Sequence, residues 1–124
     1  METKKIVITG GANRIGRSIA LELANYGAQI VIHYSKSFSA AKKLKTELEN
    51  LGSIVYLFKA DLNNFKLAQK IIPFANTKMK GVNCLINNAS VFENDSLTNF
   101  SEKSFLKHLN INLKAPAILI REFA

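Results

Sequence analysis

Short apolar runs alternate along this chain with longer segments that have helical periodicity. We predict four strands, at residues 5–9, 28–34, 53–60 and 82–87. These runs are almost continuously apolar and rich in β-branched residues, which is typical of strands buried on both faces. We predict helices at residues 14–26, 39–50, 65–79 and 101–124, with a polar loop from residue 88. Strands that alternate with helices in this way predict an α/β fold, in which helices cover both faces of a parallel sheet.

Glycines and prolines are placed to shape these helices. The apolar positions of the first two helices recur at helical spacing, at Ile15, Ile19, Leu23 and Tyr26 and at Ala40, Leu44, Leu48 and Leu51. Gly27 and Gly52 stand where these two helices are expected to end. Because proline has no backbone N–H, we expect Pro73 to kink or interrupt the third helix, and Pro116 to kink the last helix and free a carbonyl.

The composition fits one globular domain. The 124 residues are 48% hydrophobic and 21% charged, which is ordinary for a folded protein, and they are too few for two domains. Cys84 is the single cysteine, and its apolar neighbours predict a small buried thiol in a strand. Polar residues interrupt the first apolar run too early for a signal peptide, and no stretch approaches the ~18 apolar residues that span a bilayer. We therefore expect a cytosolic protein with no membrane partner.

The charge is strongly basic, since 17 Lys+Arg against 9 Asp+Glu give a formal net charge of +8. Such a surplus favours anionic partners. The lysines are nevertheless dispersed among apolar residues without a run of five like charges, which indicates the solvated faces of helices. Charge alone suggests a nucleic-acid-binding protein, and no aromatic-basic stacking motif or recognition-helix pattern supports that class. We therefore expect no nucleic-acid partner.

Small residues connect the first strand to the first helix, in the segment Thr9-Gly10-Gly11-Ala12-Asn13-Arg14-Ile15-Gly16. A helix N-terminus offers free N–H groups and the positive end of the helix dipole, and small side chains let a pyrophosphate approach them. The strand before and the helix after are the context that this motif requires. We interpret the segment as a phosphate-binding turn of a dinucleotide site. The alternative is a glycine-rich turn that merely closes tightly.

The end of the second strand indicates which dinucleotide binds. NAD sites usually place an acidic residue there to bind the ribose hydroxyls, and residues 30–46 contain no carboxylate. Lys36, the hydroxyls of Ser35 and Ser37 and the nearby Arg14 would instead attract a 2′-phosphate. The sequence therefore favours NADP(H). The alternative for Lys36 is a solvated loop lysine.

These motifs resemble those of the short-chain dehydrogenase/reductase family and, within it, the pteridine reductases. Residues 9–16 match the family's Thr-Gly-x-x-x-Gly-x-Gly, except that Arg14 stands at the middle glycine, as in the pteridine reductases. The motif His33-Tyr34-x-Lys36-Ser37 is similar to the same subgroup. Asp61-Leu62 resembles the family's adenine-binding motif, and Asn87-Asn88-Ala89-Ser90 its Asn-Asn-Ala-Gly, with serine in place of glycine. The resemblance implies a Rossmann-like doubly wound parallel sheet, with residues 1–124 as the NADP(H)-binding half of one domain.

The resemblance also implies roles for individual residues. Asn88 and Ala89 would support the adenosine-side ribose and the central sheet, and Ser90 would lie near cofactor and substrate. Phe92 would stack on a pterin; the alternative is a loop hydrophobe under the sheet edge. The implied cofactor-binding residues are Gly10, Asn13, Arg14, Ile15, Gly16, Tyr34, Lys36, Ser37, Asp61, Leu62, Asn88, Ala89 and Ser90. The implied substrate-binding residues are Arg14, Ser90 and Phe92, and no metal is implied.

One member of the family's catalytic group has a counterpart here. Asn112 resembles the helix asparagine that holds a water in the family's proton relay; the alternative is a mid-helix side chain that faces solvent or bonds a neighbouring backbone group. The family's serine and its tyrosine with a lysine four positions on have no counterpart, because Tyr26, Tyr34 and Tyr56 are followed four positions later by Ile30, Phe38 and Ala60. We therefore expect no turnover from this chain alone.

The last residues, 117–124, form an apolar helical run without a glycine cap or terminal turn. We interpret the sequence as truncated after the fourth strand and the helix that follows it. An unpaired fourth strand and an exposed helix stripe would leave this half marginally stable or prone to aggregation.

The implied full-length protein is a homo-oligomeric reductase of a pterin or of another carbonyl or imine compound. A 3-oxoacyl-thioester reductase of the same family is one alternative, against which Phe92 and Arg14 argue. A non-catalytic nucleotide-binding module is the other, and the missing tyrosine and lysine permit it.

Overall fold

Four parallel strands form one sheet in the order β3-β2-β1-β4. The computed structural model describes residues 3–91 and 101–124. The strands are β1 (Lys5–Ile8), β2 (Gln29–Tyr34), β3 (Ile54–Lys59) and β4 (Cys84–Ile86). The helices are α1 (Arg14–Ala24), α2 (Phe38–Asn50), α3 (Phe65–Ala68), α4 (Ile71–Met79), α5 (Glu102–Leu109) and α6 (Ala115–Phe123), with a π-helical segment (Asn110–Lys114) between the last two.

The sheet is buried on both faces, as the continuous apolar runs predict. Ile6 and Ile8 of β1 lie in a cluster with side chains of α1 and α2, whereas Val7 lies in a second cluster with side chains of α3, α4 and α6. β1 pairs with β2 on one side and with β4 on the other. The chain thus crosses from one edge of the sheet to the other between β3 and β4, so the order of strands reverses next to β1. This doubly wound, Rossmann-like arrangement is the predicted fold class, and it opens a crevice at the carboxyl ends of β1 and β4.

The buried face of α1 differs from the predicted apolar stripe. Ile15 and Tyr26 are 70% and 78% exposed, and the side that packs on the sheet is formed by Gly16, Ala20 and Ala24. Small residues four positions apart let the helix axis approach the sheet more closely than isoleucine or tyrosine would allow. Hydrophobic periodicity therefore located the helix and part of its inner face, since Ile19 and Leu23 pack against the same core, but it misplaced Ile15 and Tyr26.

The third predicted helix is two helices. It is interrupted at Gln69 and Lys70, between α3 and α4, and not at Pro73 itself. Pro73 is the third residue of α4, in the first turn, where a backbone N–H has no helical partner to lose. A continuous helix would place the proline ring against the carbonyl of Gln69, four residues earlier, so the break falls there.

The last predicted helix contains a wider turn before its proline. Pro116 is the second residue of α6, and the carbonyl four positions earlier, on Asn112, lies within the π-helical segment. In an α-helix the N–H of residue 116 would bond to this carbonyl, and a proline has no N–H and its ring collides with that oxygen. The wider π turn avoids both problems, because it moves the carbonyl away from the proline. The expected disturbance by Pro116 is therefore a π-helical segment that joins α5 to α6.

The fourth strand is shorter and less buried than predicted. β4 contains three residues, all half-buried. Cys84 lies in this strand as predicted and packs against the core, but it is half-buried and not buried. β4 has β1 on one side and lies at an edge of the described sheet, which exposes it. Among residues 3–91 and 101–124, no helix has the length and apolar character needed to cross a membrane.

The 124-residue chain produced alone is expected to be marginally stable. Leu113 and Ile120, near the C-terminus, are 65% and 55% exposed, which adds apolar surface to the open edge of β4. Circular dichroism during heating, together with light scattering, should show a broad transition accompanied by aggregation. Replacing both residues by lysine should reduce the scattering without removing helical signal. A sharp transition of a monomer in the unmodified chain would contradict this expectation.

Candidate functional site

A cleft of about 570 Å³ lies at the carboxyl ends of β1, β2 and β4. Most of the residues that the sequence assigned to a cofactor site line it. The predicted residues that line the cleft are Gly10, Asn13, Arg14, Ile15, Tyr34, Lys36, Ser37, Asp61, Leu62, Asn88, Ala89 and Ser90. Ala12, His33, Ser35, Val91, Lys107 and Ile111 line it in addition. The cleft therefore coincides with the crevice in which doubly wound sheets bind ligands.

The turn after β1 is fixed by hydrogen bonds to both backbone groups of one residue. Gly10 donates its N–H to Nδ1 of His33 (3.0 Å), and its carbonyl accepts from Nδ2 of Asn88 (3.0 Å). The φ angle of Gly10 is +62°, a conformation that favours glycine. A Cβ at this position would also lie 2.9 Å from Cα of Ala89. Glycine is required here for both reasons.

Gly16 lies beneath the turn and not on the cleft surface. A Cβ on Gly16 would be 2.4 Å from the Gly10 carbonyl oxygen and 2.7 Å from Nδ2 of Asn88. Because these atoms belong to the backbone and to a hydrogen-bonded side chain, they have little room to move. Gly16 was predicted to bind the cofactor, but it does not line the cleft. Its role in the structure is in packing, because the absence of a side chain lets α1 begin directly under the turn.

The N-terminus of α1 keeps its N–H groups available. Asn13 is the N-cap residue, but its side chain makes no capping hydrogen bond and donates Nδ2–H to Oγ of Ser37 (3.1 Å). An asparagine at this position usually accepts a hydrogen bond from the first turn. Because the N-cap side chain does not cap them and the start of the helix lines the cleft, the N–H groups of the first turn and the positive end of the helix dipole lie at the cleft. They favour an anion there.

Arg14 opens α1 with an unusual backbone conformation. Its φ angle is +51°, in the left-handed region, although it is not glycine. The family pattern has glycine at this position, so the arginine carries a strain of about 1 kcal/mol that glycine would not. The exposed side chain lines the cleft beside Lys36 and brings a second cation to it.

Two further groups lie where β2 and β3 end. Tyr34 is buried against Ala12 and Ala41, which places Lys36 and Ser37 directly at the cleft. Asp61 follows β3 and accepts a hydrogen bond from the N–H of Asn63 (2.9 Å), an arrangement that fixes its carboxylate at the cleft. Asp61 contributes the one carboxylate among the described residues that line the cleft.

The end of β4 is attached to the end of β1. Oγ1 of Thr9 accepts hydrogen bonds from the N–H groups of Asn88 (3.1 Å) and Ala89 (3.0 Å). These bonds join residues about 80 positions apart and connect the ends of β1 and β4. The roles that the resemblance implies for Asn88 and Ala89 stay predictions. Ser90 lines the cleft next to them. Phe92 lies outside the described residues.

Asn112 lies in the π-helical segment and does not line the cleft. Its side-chain Oδ1 accepts from the N–H of Val91 (2.8 Å), and its Nδ2 donates to the carbonyl of Val91 (2.9 Å). The side chain thus attaches this helix to the segment that leaves β4. Pro116 leaves the Asn112 carbonyl without an α-helical donor. The relay role of Asn112 stays a prediction.

His33 was part of a sequence motif but was not predicted as a site residue. It is 2% exposed, and its Nε2 donates to the carbonyl of Ala60 (2.8 Å). Burial lowers the pKa of His33, while its bond to Ala60 and the charge of Asp61 partly oppose that shift. A polar ring inside an otherwise apolar strand was the available signal. Nothing in the sequence indicated that Lys107 and Ile111 line the cleft, because their location depends on how the last helices pack.

A Gly16→Ala substitution is expected to destabilise the protein by about 1–3 kcal/mol, because the added Cβ overlaps the Gly10 carbonyl. The free energy of unfolding in urea measures this loss. Ser18→Ala, at an exposed position of the same helix, is the matched control and should change stability by less than about 0.5 kcal/mol. Equal stability of the two variants would refute the close approach of α1 to the turn.

Comparisons with known proteins find relatives that share this fold. The short chain dehydrogenase "mdpC" of Emericella nidulans is 29% identical over 122 residues, which cover 98% of this chain and 46% of that protein. A short chain dehydrogenase from Burkholderia cenocepacia in complex with NADP has a TM-score of 0.94 at 28% identity, covering 97% of this chain and 49% of that one. FolM alternative dihydrofolate reductase 1 from Brucella canis, complexed with NADP, has a TM-score of 0.88 at 27% identity, covering 95% and 48%.

This chain spans about half the length of the proteins that it matches. The family model described as short chain dehydrogenase matches residues 4–124, almost the whole chain. Together with the parallel sheet and the turn after β1, this match confirms the resemblance at the level of the family. The chain belongs to the short chain dehydrogenase family.

Proposed function

We propose that this chain binds NADP(H) and forms the cofactor-binding half of a reductase that transfers hydride to a pterin-like substrate. The observation that carries the proposal is the uncapped N-terminus of α1, whose N-cap side chain is bonded to Ser37 instead of to the helix. A cofactor pyrophosphate satisfies these N–H groups and complements the helix dipole.

The charges around the cleft support a phosphorylated dinucleotide. Arg14 and Lys36 line the cleft, and Ser37 lies beside Lys36. Because Oγ of Ser37 already accepts a hydrogen bond from Asn13, its own hydroxyl hydrogen is available for an anionic oxygen. Two cations and a hydroxyl donor suit a 2′-phosphate better than a free ribose hydroxyl.

The neighbouring part of the cleft, after β3, suits the adenine, which is joined to the ribose that carries the 2′-phosphate. Asp61 offers a fixed carboxylate to an amino group, and the buried Leu62 offers an apolar surface to the ring. Asn88 and Ala89 line the cleft after β4, on the other side of β1, and we assign them to the ribose and the adjoining phosphates. When bound, the nicotinamide supplies the hydride.

The proposed substrate side consists of Arg14, Ser90 and Phe92. Arg14 and Ser90 line the cleft and provide polar contacts for a heterocycle, and Phe92 provides the stacking surface that the family resemblance implies. The similarity to the FolM protein, whose name is that of an alternative dihydrofolate reductase, favours a pterin-like ring over a 3-oxoacyl thioester. Location in the cytosol and a homo-oligomeric full-length form stay predictions.

NADPH is expected to bind more tightly than NADH, and Lys36→Ala should lower NADPH affinity about tenfold through loss of a charge-assisted contact. The same variant should leave NADH affinity unchanged, because NADH has no 2′-phosphate. Fluorescence titration with both cofactors measures the two affinities. Lys43→Ala removes the same charge from an exposed position on α2 and should change neither. A preference for NADH would refute the role of Lys36.

The 124-residue chain alone is expected to bind NADPH without oxidising it, because it contains no tyrosine followed four positions later by lysine. NADPH absorbance in the presence of a dihydropterin or an acetoacetyl thioester measures turnover. Oxidation of NADPH by this chain with either substrate would show that its proton donor lies within these residues.

A further inference from the structure

We propose that His33 is a positioning residue that holds the phosphate-binding turn against the adenine end of the cleft, and that protonation of its Nδ1 releases the turn and weakens dinucleotide binding. The binding part of this inference rests on the proposed function. The role goes beyond the assignments above, in which His33 has no part in cofactor recognition.

The two hydrogen bonds of His33 define its tautomer. The Ala60 carbonyl is only an acceptor, so the Nε2 atom 2.8 Å from it carries a hydrogen. The Gly10 N–H is only a donor, so the Nδ1 atom 3.0 Å from it carries none. The neutral imidazole therefore satisfies both neighbours, and a doubly protonated ring cannot.

The ring connects two parts of the cleft that the chain does not connect directly. Gly10 belongs to the turn after β1, and Ala60 directly precedes Asp61, the group that we assign to the adenine. The Gly10 carbonyl is bonded in turn to Asn88 and lies over Gly16. A movement of the Gly10 peptide therefore affects the contacts of the turn with β4 and with α1.

The surroundings of His33 determine its response to acid. The ring is buried in β2, and the charged groups that line the same cleft are Asp61 after β3, Arg14 on α1, Lys36 after β2 and Lys107 on α5. The charge of Asp61 and the bond to Ala60 favour protonation, but burial outweighs them and lowers the pKa of His33. The residue is accordingly neutral at pH 7, and its bond to Gly10 is intact there.

Protonation would place an N–H of the ring directly against the N–H of Gly10. Two donors at hydrogen-bond distance repel each other, so either the ring or the Gly10 peptide must move. Because burial lowers the pKa of His33 from its ordinary value, dinucleotide affinity should be constant from pH 8 down to that ordinary value and fall only at lower pH.

The tautomer can be tested without a cofactor. Nitrogen-15 NMR of the imidazole rings at pH 7.5 should show His33 with hydrogen on Nε2 and none on Nδ1. The chain contains two histidines, and a His108→Asn variant identifies the His33 signals. A ring with hydrogen on Nδ1 at pH 7.5 would overturn the proposed geometry.

The effect on binding is tested by NADPH titration between pH 8 and pH 5. The cofactor's own phosphate titrates near pH 6, so the comparison between variants is decisive. His33→Asn provides an acceptor for Gly10 that does not titrate, and it should bind within a few-fold of the unmodified protein at pH 7.5. On acidification, the unmodified protein should lose about fivefold more affinity than this variant, as expected for one lost hydrogen bond. His33→Leu, which has no acceptor, should bind weakly at every pH.

The control is His108→Asn, which removes the other histidine and should retain the full pH response. An equal loss in the unmodified protein and in His33→Asn would overturn the proposal while NADPH binding itself stood. Absence of NADPH binding at pH 7.5 would instead overturn the proposed function, and with it the binding part of this inference.

Discussion

The close approach of α1 to the ends of β1 and β4 is the constraint on which the rest of the site depends. It occurs at one peptide, since the Gly10 carbonyl lies against Gly16 and accepts a hydrogen bond from Asn88. Any side chain at Gly16 would separate the helix from the turn. Because the helix begins there, its free N–H groups point into the crevice where the order of strands reverses. Close packing and the proposed anion site therefore depend on the same contact.

The polar side chains around this contact divide into two kinds. Thr9, Asn88 and His33 satisfy backbone groups of the turn and of the adjoining strands, and so they fix its shape. Arg14 and Lys36 line the open cleft and supply charge. Thr9 and His33 are buried and Asn88 is half-buried, so water competes little for these hydrogen bonds and they restrain the turn closely. The second kind must stay accessible to a ligand. The formal charge of +8 is spread over the whole chain, so the position of Arg14 and Lys36 at the cleft matters more than the total charge.

Much of the fold and of the cleft was predictable, for local reasons. Continuous β-branched runs identified strands buried on both faces, and the glycine-rich segment identified the turn between β1 and α1. The inner face of α1 was only partly predictable from hydrophobicity: Ile19 and Leu23 pack against the core as predicted. Gly16, Ala20 and Ala24 pack on the sheet because they are small. The helix break was expected at Pro73 and occurs before it, between α3 and α4. The reason is that proline disturbs the carbonyl four residues earlier, whereas the sequence shows only the position of the proline.

The sequence by itself determined the class of fold and the location of the glycine-rich turn, because each follows from neighbours within a few positions. Most residues of the cleft were named through the family resemblance, which compares short motifs of the same kind. Only the tertiary structure decided which polar groups hold the turn in place. The bond between Gly10 and Asn88 joins residues 78 positions apart, and the bond between Gly10 and His33 joins residues 23 positions apart. Such partners are chosen by the order of the strands in the sheet. The pattern of a single strand contains no information about that order.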